Sequence, residues 1–403
     1  MSSILYLVPD LFGPPGGIAR YCRLVAQALG ESGVAVHIVA LMDQPHDAAR
    51  LPQATAAVAP LNFAAGATYT PCGGSRTAFI RQAVRQTLRT RPGLILTGHV
   101  NLAPLGWALA RLTRAPMVTF AYGIDAWAPL SRTRHLALQR SARVIAISRY
   151  TADRAMQINA LDPARLRVLH NCLDPQFERS QASHSPGNSS EFLPVPSSSP
   201  EFLRVPSDQP FGNYDLSLLT VARMSLAEQY KGHDVVLHAM PELLQRFPDL
   251  RYDIIGDGDA RPGLQALAQQ LGVAPAVHFH GVVSEAALRD HYAQASLFIM
   301  PSRAEGFGFV FLEAMAHGLP VIGGNMDATP EVVVHKETGL LADPTSPTQI
   351  ADAIATLLAD PLRRQIMGIA AQHRVEEHFS FSQFQQHLLA ILAELVALTS
   401  IPS

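Results

Sequence analysis

Residues 297–324, LFIMPSRAEGFGFVFLEAMAHGLPVIGG, contain a complete strand, loop, helix and second strand. The apolar run LFIM predicts a buried strand, and glycines punctuate the loop RAEGFG that follows it. We predict a helix from about Phe309 to His317, because Gly318 ends the apolar pattern before the strand PVIGG. Near-continuous apolar strands joined by a helix are typical of a parallel sheet covered on both faces.

The same alternation of apolar strands and helical patterns runs through most of the chain. The predicted strands of the first half are ILYLV, VAVHIVAL, LILTG, MVTFA and RVIAIS, and those of the second half include DLSLLTVARM, RYDIIGDG, VHFHG and TGLLADP. The sequence therefore predicts the α/β fold class, with two Rossmann-like, doubly wound parallel-sheet domains. A length of 403 residues agrees with two domains, since single cores rarely grow beyond about 250–300 residues.

A Ser/Pro-rich segment separates the two predicted domains. We place the N-terminal domain at residues 1–178, the linker at 179–213 and the C-terminal domain at 214–379. A C-terminal helix at about 380–398 could pack back on the first domain. Within the linker, EFLPVPS at 191 recurs as EFLRVPS at 201, which indicates an expanded linker or, alternatively, a segment that docks a partner.

Composition narrows the function classes. A net charge of −2 and a charged fraction of 16% give no general attraction to nucleic acid. Cys22, Cys72 and Cys172 are too scattered for a disulfide framework or a zinc site, and they fit a reducing compartment. The start MSSILYLVPDLFGPPGG has no basic signal region, and no window reaches the roughly 20 apolar residues of a membrane span. We therefore expect a cytoplasmic protein without nucleic-acid partners.

One basic helix leaves membrane contact open. Residues 76–91 carry five arginines and no acid, with apolar residues at helical spacing. This pattern fits a surface helix with a basic outer face, and it also fits a helix that touches the inner face of a membrane peripherally.

Two places at the carboxyl ends of predicted strands suit phosphate groups, because ligands gather at this edge in open α/β sheets. In the first domain GPPGGIARY follows a strand and opens a helix, so the backbone at Gly16 and Gly17 could approach a phosphate or could form a plain turn. In the second domain Arg223 ends a strand and Lys231 precedes a helix. These two cations could neutralise a diphosphate or could be solvated surface charges.

The two glutamates of residues 297–324 occupy different positions. Glu305 lies in the loop before the helix, where free N–H groups favour an anion. Glu313 lies inside the helix, and its carboxylate can accept hydrogen bonds from two neighbouring hydroxyls, as a ribose diol would present. A glycoside hydrolase would need two carboxylates that face each other across one bond, roughly 5 to 10 Å apart. We therefore do not expect a hydrolytic pair.

RAEGFGFVFLEAMAHGLPVIG, together with VARM, YKGHD, IIGDGD, MPS and TGLLADP, resembles the second domain of retaining nucleotide-sugar glycosyltransferases of the GT-B fold, in the broad fourth family. Weaker matches, GGIARY, AYGIDAW, AISRY and VLHNCLDPQF, lie in the first domain, and the likeness covers the chain apart from residues 180–212. The resemblance implies two domains that face a central cleft. The second domain would bind a nucleotide-diphosphate sugar, and the first would hold a saccharide or lipid-linked acceptor.

The resemblance also implies roles for residues in the second domain. Glu313 matches the ribose-binding carboxylate. The clamp on the donor sugar is matched by Glu305 with the backbone of Gly306, Phe307 and Gly308.

The remaining matches concern the charge of the donor. Arg223 and Lys231 match the diphosphate cations, and Gly17, beside Gly16, matches the backbone donor to the leaving phosphate. The implied reaction moves a hexose from a donor of the GDP-mannose or UDP-glucose type with retention of configuration, in polysaccharide or glycan biosynthesis. We expect no cofactor and no metal, because the cations and oriented amides would stabilise the developing charge.

One position departs from the family pattern. Many relatives have a His-Gly pair after the strand MVTFA, where this chain has Tyr122 and Gly123, followed by Asp125. A tyrosine can donate one hydrogen bond to a sugar hydroxyl but cannot carry charge as histidine can. Tyr122, Asp125 and His99 are the candidate acceptor-site residues, and for His99 a structural, hydrogen-bonded role remains the alternative.

Other functions on the same architecture stay open at this point. They are a nucleotide-sugar epimerase, a phosphorylase-like enzyme and a non-catalytic protein that binds nucleotide sugars. A non-catalytic protein would be expected to lose Glu305 or Lys231, and this chain has both.

Overall fold

The computed structural model describes residues 3–13, 16–50, 68–175, 177 and 216–399. These residues form two sheets in which every strand pairing is parallel. The predicted linker at 179–213, with its duplicated heptapeptide, lies outside the described residues.

The first sheet has seven strands in the order β3-β2-β1-β4-β5-β6-β7. Its strands are β1 Ile4–Val8, β2 Val36–Ala40, β3 Thr68–Pro71, β4 Leu94–Thr97, β5 Met117–Ala121, β6 Arg143–Ala146 and β7 Leu166–Val168. The helices of this part are α1 Gly17–Glu31, α2 Arg76–Thr90, α3 Ala103–Thr113, α4 Arg132–Gln139 and α5 Arg149–Asn159. The chain order reverses between β1 and β4, which is the kind of crevice where open α/β sheets bind ligands.

The second sheet has six strands in the order β10-β9-β8-β11-β12-β13. Its strands are β8 Ser217–Val221, β9 Arg251–Ile255, β10 Val277–Gly281, β11 Leu297–Met300, β12 Val321–Gly324 and β13 Gly339–Ala342. The helices are α6 His233–Arg246, α7 Arg261–Gln270, α8 Glu285–Gln294, α9 Phe309–Ala316, α10 Thr329–Val332, α11 Pro347–Leu358, α12 Pro361–His378 and α13 Phe381–Thr399. Here the order reverses between β8 and β11, so the loops after both strands open into one crevice.

Burial follows the apolar patterns of the sequence. Every residue of β1, β2 and β5 is buried, as expected for strands with helices on both faces. In α1 Cys22, Val25 and Leu29 recur at three to four residues and are fully buried, so they form one apolar stripe. The predicted α/β fold class with two doubly wound parallel sheets is confirmed.

The last helix, α13, follows the second sheet in the chain but packs against the first domain. Glu394 accepts hydrogen bonds from Arg143 Nη2 of β6 at 2.9 Å and from Arg167 Nη2 of the edge strand β7 at 2.8 Å. Phe384 packs edge-on against Tyr21 of α1, with ring centroids 5.5 Å apart. The chain therefore crosses back from the second sheet and closes over α1.

The loops at the carboxyl ends of the two sheets meet in a close contact. A Cβ atom on Gly306, after β11, would lie 2.2 Å from the carbonyl oxygen of Tyr122, after β5, so only glycine allows this approach. One hydrophobic cluster continues across the contact and includes Ile147 and Phe307. Among the described residues, no helix has both the length and the apolar character needed to cross a bilayer.

Candidate functional site

The loop that carries Glu305 is held by a neighbouring loop of the second sheet. The Glu305 backbone N–H donates to Asp327 Oδ2 at 2.7 Å, and the Ala328 N–H donates back to the Glu305 carbonyl at 3.2 Å. Asp327 also accepts from the Thr329 N–H at 2.9 Å. Burial raises the pKa of Asp327 to about 6, while these hydrogen bonds act in the opposite direction. Asp327 therefore fixes the backbone at Glu305, a role that the sequence analysis missed.

Lys231 and Glu305 lie together at the carboxyl edge of the second sheet. Lys231 ends a short 3₁₀ helix, Leu226–Lys231, and its Nζ atom lies 3.9 Å from Glu305 Oε2. Both side chains are mostly buried, with 16% and 19% of their surface exposed. Gly232 allows this arrangement because it adopts a positive φ of 79°, and a Cβ there would lie 2.5 Å from the carbonyl oxygen of Pro301. The structure thus brings together two of the predicted site residues.

Arg223 lies at the same edge but points toward solvent. Its side chain is 62% exposed and pairs with Glu228. Tyr230 lies between these charges: burial raises its pKa, and the nearby Glu305 and Glu228 carboxylates raise it further. Arg223 is therefore near the Lys231–Glu305 pair, with its own charge already engaged by a carboxylate.

Glu313 is buried and has partners from both halves of the molecule. Its side chain is only 6% exposed. Tyr292 of α8 donates its hydroxyl hydrogen to Glu313 Oε2 at 2.8 Å, and Arg20 of α1 donates to Glu313 Oε1. The sequence analysis did not single out Arg20 or Tyr292.

The two glycines at the start of α1 face the same region. Gly16 is the N-terminal cap residue of α1, and Gly17 is its first helical residue. A Cβ built on Gly17 would lie 3.8 Å from the Phe309 ring, at the start of α9. The N-terminus of a helix presents free N–H groups and a partial positive charge, so an anion between α1 and α9 would be stabilised.

The glycine loop after β11 offers backbone rather than side chains. Phe307 is fully buried, with ring centroids 5.5 Å from His170 and 5.6 Å from Phe379, so its side chain belongs to the core. Gly308 caps α9 with a positive φ of 88°. Any contact of Gly306, Phe307 and Gly308 with a ligand would therefore use their main-chain atoms.

The three candidate acceptor-site residues are not equivalent. Tyr122 is buried, and its hydroxyl lies 3.4 Å from Cys22 Sγ inside the first domain. This placement argues against the hydrogen bond to a sugar hydroxyl that the sequence suggested for Tyr122. The ring of Tyr122 instead occupies a polar and aromatic pocket inside the first domain, which is formed by Cys22, Tyr6 and Tyr21.

His99 and Asp125 form a pair beside this tyrosine. His99 Nε2 lies 3.9 Å from Asp125 Oδ2, and His99 Nδ1 accepts from the Asn101 N–H at 3.0 Å. Asp125 Oδ1 accepts from the Tyr122 N–H at 3.0 Å, while its buried Oδ2 has no hydrogen-bond partner among the described residues. Burial raises the pKa of Asp125 to about 7, and burial with the nearby Arg134 lowers the pKa of His99 to about 4. The histidine is thus neutral at pH 7, so the 3.9 Å contact is not an ion pair at that pH.

Glu331, which the sequence analysis missed, joins the two sheets near the cleft. It accepts hydrogen bonds from the backbone N–H groups of Arg149 and Tyr150, both at 2.8 Å, at the start of α5. It also lies 3.0 Å from His170 Nε2. Although burial acts to raise the pKa of Glu331, the hydrogen bonds from His170 and the two amides hold it below the usual value.

Two Rossmann-like domains whose carboxyl edges face each other, with cations and carboxylates collected there, define a GT-B architecture. Comparison with known proteins identifies the family. A family model described as Glycosyl transferases group 1 matches residues 212–374, and one described as Glycosyltransferase Family 4 matches residues 15–177. The chain belongs to the group 1 glycosyltransferases of family 4, as the sequence resemblance predicted.

Two relatives and one solved structure are similar to this chain. A GDP-mannose-dependent alpha-(1-6)-phosphatidylinositol monomannoside mannosyltransferase of Mycolicibacterium smegmatis is 41% identical over 150 residues, which cover 36% of this chain and 39% of that protein. A D-inositol 3-phosphate glycosyltransferase of Segniliparus rotundus is 27% identical over 389 residues, 89% of this chain and 80% of that protein. HepE of Anabaena in complex with UDP has a TM-score of 0.74 at 18% identity and covers 97% of this chain and 100% of its own. The match spans less than half the length of the mycobacterial relative. At 18% identity, the likeness to HepE supports the fold alone.

Proposed function

We propose that the chain transfers a hexose from a nucleoside-diphosphate sugar to a saccharide or lipid-linked acceptor, with retention of the anomeric configuration. The donor would lie in the cleft, with its diphosphate between the start of α1 and Lys231. The bond between the anomeric carbon and the diphosphate oxygen breaks while the acceptor oxygen bonds to the same face. The departing phosphate takes the proton of the acceptor hydroxyl, so no separate base is required.

The observation that carries this proposal is the Lys231–Glu305 pair. Its 3.9 Å separation and low exposure place one cation and one carboxylate at the edge where the two domains meet. A buried cation can stabilise the negative charge that develops on a leaving diphosphate, and a nearby carboxylate can accept hydrogen bonds from sugar hydroxyls. An epimerase, phosphorylase-like enzyme or non-catalytic binding protein gains no comparable support from the described contacts.

The donor we favour is of the GDP-mannose or UDP-glucose type. The mycobacterial relative is described as GDP-mannose-dependent, which supports a GDP-sugar for this chain. We expect no metal requirement, because Lys231 and the amides at the start of α1 would supply the positive charge. Turnover that is unchanged by EDTA would support this, and loss of turnover restored by a divalent cation would contradict it.

The reaction can be tested by release of the nucleoside diphosphate. Purified protein is incubated with UDP-glucose, GDP-mannose or ADP-glucose and a panel of saccharide and polyprenyl- or phosphoinositide-linked acceptors. The proposal expects acceptor-dependent release from one donor, with a product of the same anomeric configuration by NMR. Configuration inverted at the anomeric carbon would contradict the retaining mechanism, and no release from any donor would contradict the activity.

A lipid-linked acceptor would fit a peripheral membrane position through α2. Ile80 is 49% exposed and Leu88 is 60% exposed, beside Arg81 and Arg85 on the outer side of the helix. Apolar side chains flanked by arginines can insert at an anionic lipid surface. We expect Ile80→Ser with Leu88→Ser to reduce co-sedimentation with vesicles that contain phosphatidylglycerol. Ile366→Ser, at an exposed site of α12, is the matched control and should bind like wild type.

A further inference from the structure

Arg20 links the first domain to the carboxylate assigned to the ribose. It lies in the first turn of α1, three residues after Gly17. Its Nη1 donates to Glu313 Oε1 in α9, and its Nε donates to Asp174 Oδ2 at 3.2 Å. The guanidinium carbon lies 4.6 Å from the centre of the Phe309 ring. With only 17% of its side chain exposed, Arg20 is held in one orientation by these contacts.

The other oxygen of Glu313 is held from the second domain. The hydroxyl of the fully buried Tyr292 donates to Oε2 at 2.8 Å, and its ring stacks on His317 with centroids 5.2 Å apart. Each oxygen of the Glu313 carboxylate therefore accepts a hydrogen bond, one from the first domain and one from the second. Two lone pairs per oxygen leave it able to accept further hydrogen bonds from a ligand.

Arg20 also supplies the positive charge that compensates Glu313. A carboxylate this deeply buried is unfavourable unless a cation or hydrogen-bond donors lie beside it. Although burial acts to lower the pKa of Arg20, the Glu313 and Asp174 carboxylates raise it above its usual value, so the guanidinium remains charged. An ionised Glu313 only accepts hydrogen bonds, which is what two ribose hydroxyls require.

We propose that Arg20 is a positioning residue for nucleotide binding: from the first domain, it compensates the charge of Glu313 and holds the carboxylate oriented toward the ribose of the donor. This inference rests on the proposed function, since it requires that Glu313 contacts the nucleotide. Its consequence is that affinity for the nucleoside diphosphate depends on the first domain even though most contacts come from the second. Donor binding and the approach of the two domains are thereby coupled.

The test compares Arg20→Ala, Arg20→Lys and Glu313→Ala in the full chain. Dissociation constants for UDP and GDP are measured by isothermal titration calorimetry, and thermal unfolding is followed without nucleotide. We expect Arg20→Ala to weaken binding at pH 7 by about tenfold or more, because an uncompensated buried charge is strongly unfavourable. Arg20→Lys keeps the positive charge but lacks the planar guanidinium that bonds Glu313 and Asp174 at once, so it should recover part of the affinity. Arg143→Ala, which removes an ion pair to Glu394 away from the cleft, is the structural control.

Partial rescue by a conservative variant separates positioning from a general loss of stability. Arg20→Lys keeps a positive charge beside Glu313, whereas Arg20→Ala removes it. Nucleotide affinity should therefore be higher in Arg20→Lys than in Arg20→Ala, even where the two variants unfold at the same temperature.

The possible outcomes are distinguishable. Unchanged nucleotide affinity in Glu313→Ala overturns the assignment of the ribose to Glu313, and with it the proposed function of that residue. Weakened affinity in Glu313→Ala with wild-type affinity in Arg20→Ala overturns only the role of Arg20. Equal losses of affinity in Arg20→Ala and Arg20→Lys also overturn it, because charge compensation by Arg20 requires that a lysine recover part of the binding. If Arg20→Ala does not fold, Arg20→Gln takes its place, since it keeps a donor and lacks the charge.

Discussion

Lys231 and Arg223 were both assigned to the diphosphate, and their surroundings predict unequal effects on binding. A unit charge about 4 Å from a phosphate is worth about 4 kcal/mol at an effective dielectric constant near 20. Lys231 is 16% exposed, but Glu305 at 3.9 Å already offsets part of its charge. We therefore expect Lys231→Met to weaken nucleoside-diphosphate binding by about 2 kcal/mol, or about thirtyfold.

Arg223 should matter much less. Its side chain is 62% exposed and paired with Glu228, and exposed charges contribute about 0–1 kcal/mol. Arg223→Met should thus weaken binding at most about fivefold. Calorimetry with UDP and GDP measures both, and Lys336→Met is a control because Lys336 is exposed and lies after α10, outside the proposed site. An effect of Arg223→Met as large as that of Lys231→Met would refute this reasoning.

Three further predictions concern the carboxylates of the cleft. Glu313→Ala should mainly weaken nucleotide affinity, which calorimetry measures. Glu305→Ala should mainly reduce turnover, which steady-state kinetics measures. Wild-type affinity and turnover in these variants would contradict the roles assigned to the two glutamates. Asp327→Ala leaves the backbone amides of Glu305 and Thr329 without an acceptor. The free energy of unfolding, measured in urea, should therefore fall by about 2–4 kcal/mol. A change below about 0.5 kcal/mol would contradict the role of Asp327 in fixing this loop. Burial raises the pKa of Asp125 to about 7 in the folded protein, from an ordinary value of 3.8, so the folded state binds its proton more tightly and stability falls as the pH rises from about 4 to 7. Asp125→Asn should remove this fall in stability, so the variant should be more stable than wild type at pH 8 in urea unfolding. We also expect its turnover to be lower. Equal pH dependence of stability in the two proteins would contradict the raised pKa of Asp125.

Local sequence pattern was sufficient for the residues that lie close together in the chain. Glu305 and Glu313 lie on one strand, loop and helix unit, and Lys231 follows the strand that neighbours it in the sheet. The rule that ligands gather at the carboxyl ends of strands then placed all three at one edge. The contact between Lys231 and Glu305 agrees with that expectation, while the roles of these residues in binding and turnover remain predictions.

The missed residues act across large separations in the chain. Arg20 is 293 positions from Glu313, and Glu331 is 182 positions from the amide of Arg149 that it binds. No local periodicity reports such a contact, because it depends on how the two domains sit against each other. Asp327 carried a weak signal, since an aspartate side chain in a loop often accepts a hydrogen bond from the N–H two residues on, as Asp327 does from Thr329.

The edge strands and the surface of α2 were also difficult to read. Strands β3, Thr68–Pro71, and β7, Leu166–Val168, are short and only half-buried, so they lack the apolar run that identified the central strands. In α2 the structure buries Phe79 and Ala83 but exposes Ile80 and Leu88. Apolar spacing predicts that a helix forms, whereas the width of its buried stripe depends on the neighbouring element.

Binding of a nucleoside diphosphate in the cleft is the central claim, and thermal unfolding with UDP, GDP and ADP tests it most directly. A ligand that binds only the folded state stabilises it by about 2.7 kcal/mol when its concentration is a hundred times the dissociation constant. We expect one of the three nucleotides to raise the unfolding temperature of wild type, and to raise that of Lys231→Met much less. Equal unfolding temperatures with and without all three nucleotides, or an undiminished shift in Lys231→Met, would contradict the site described around Lys231 and Glu305.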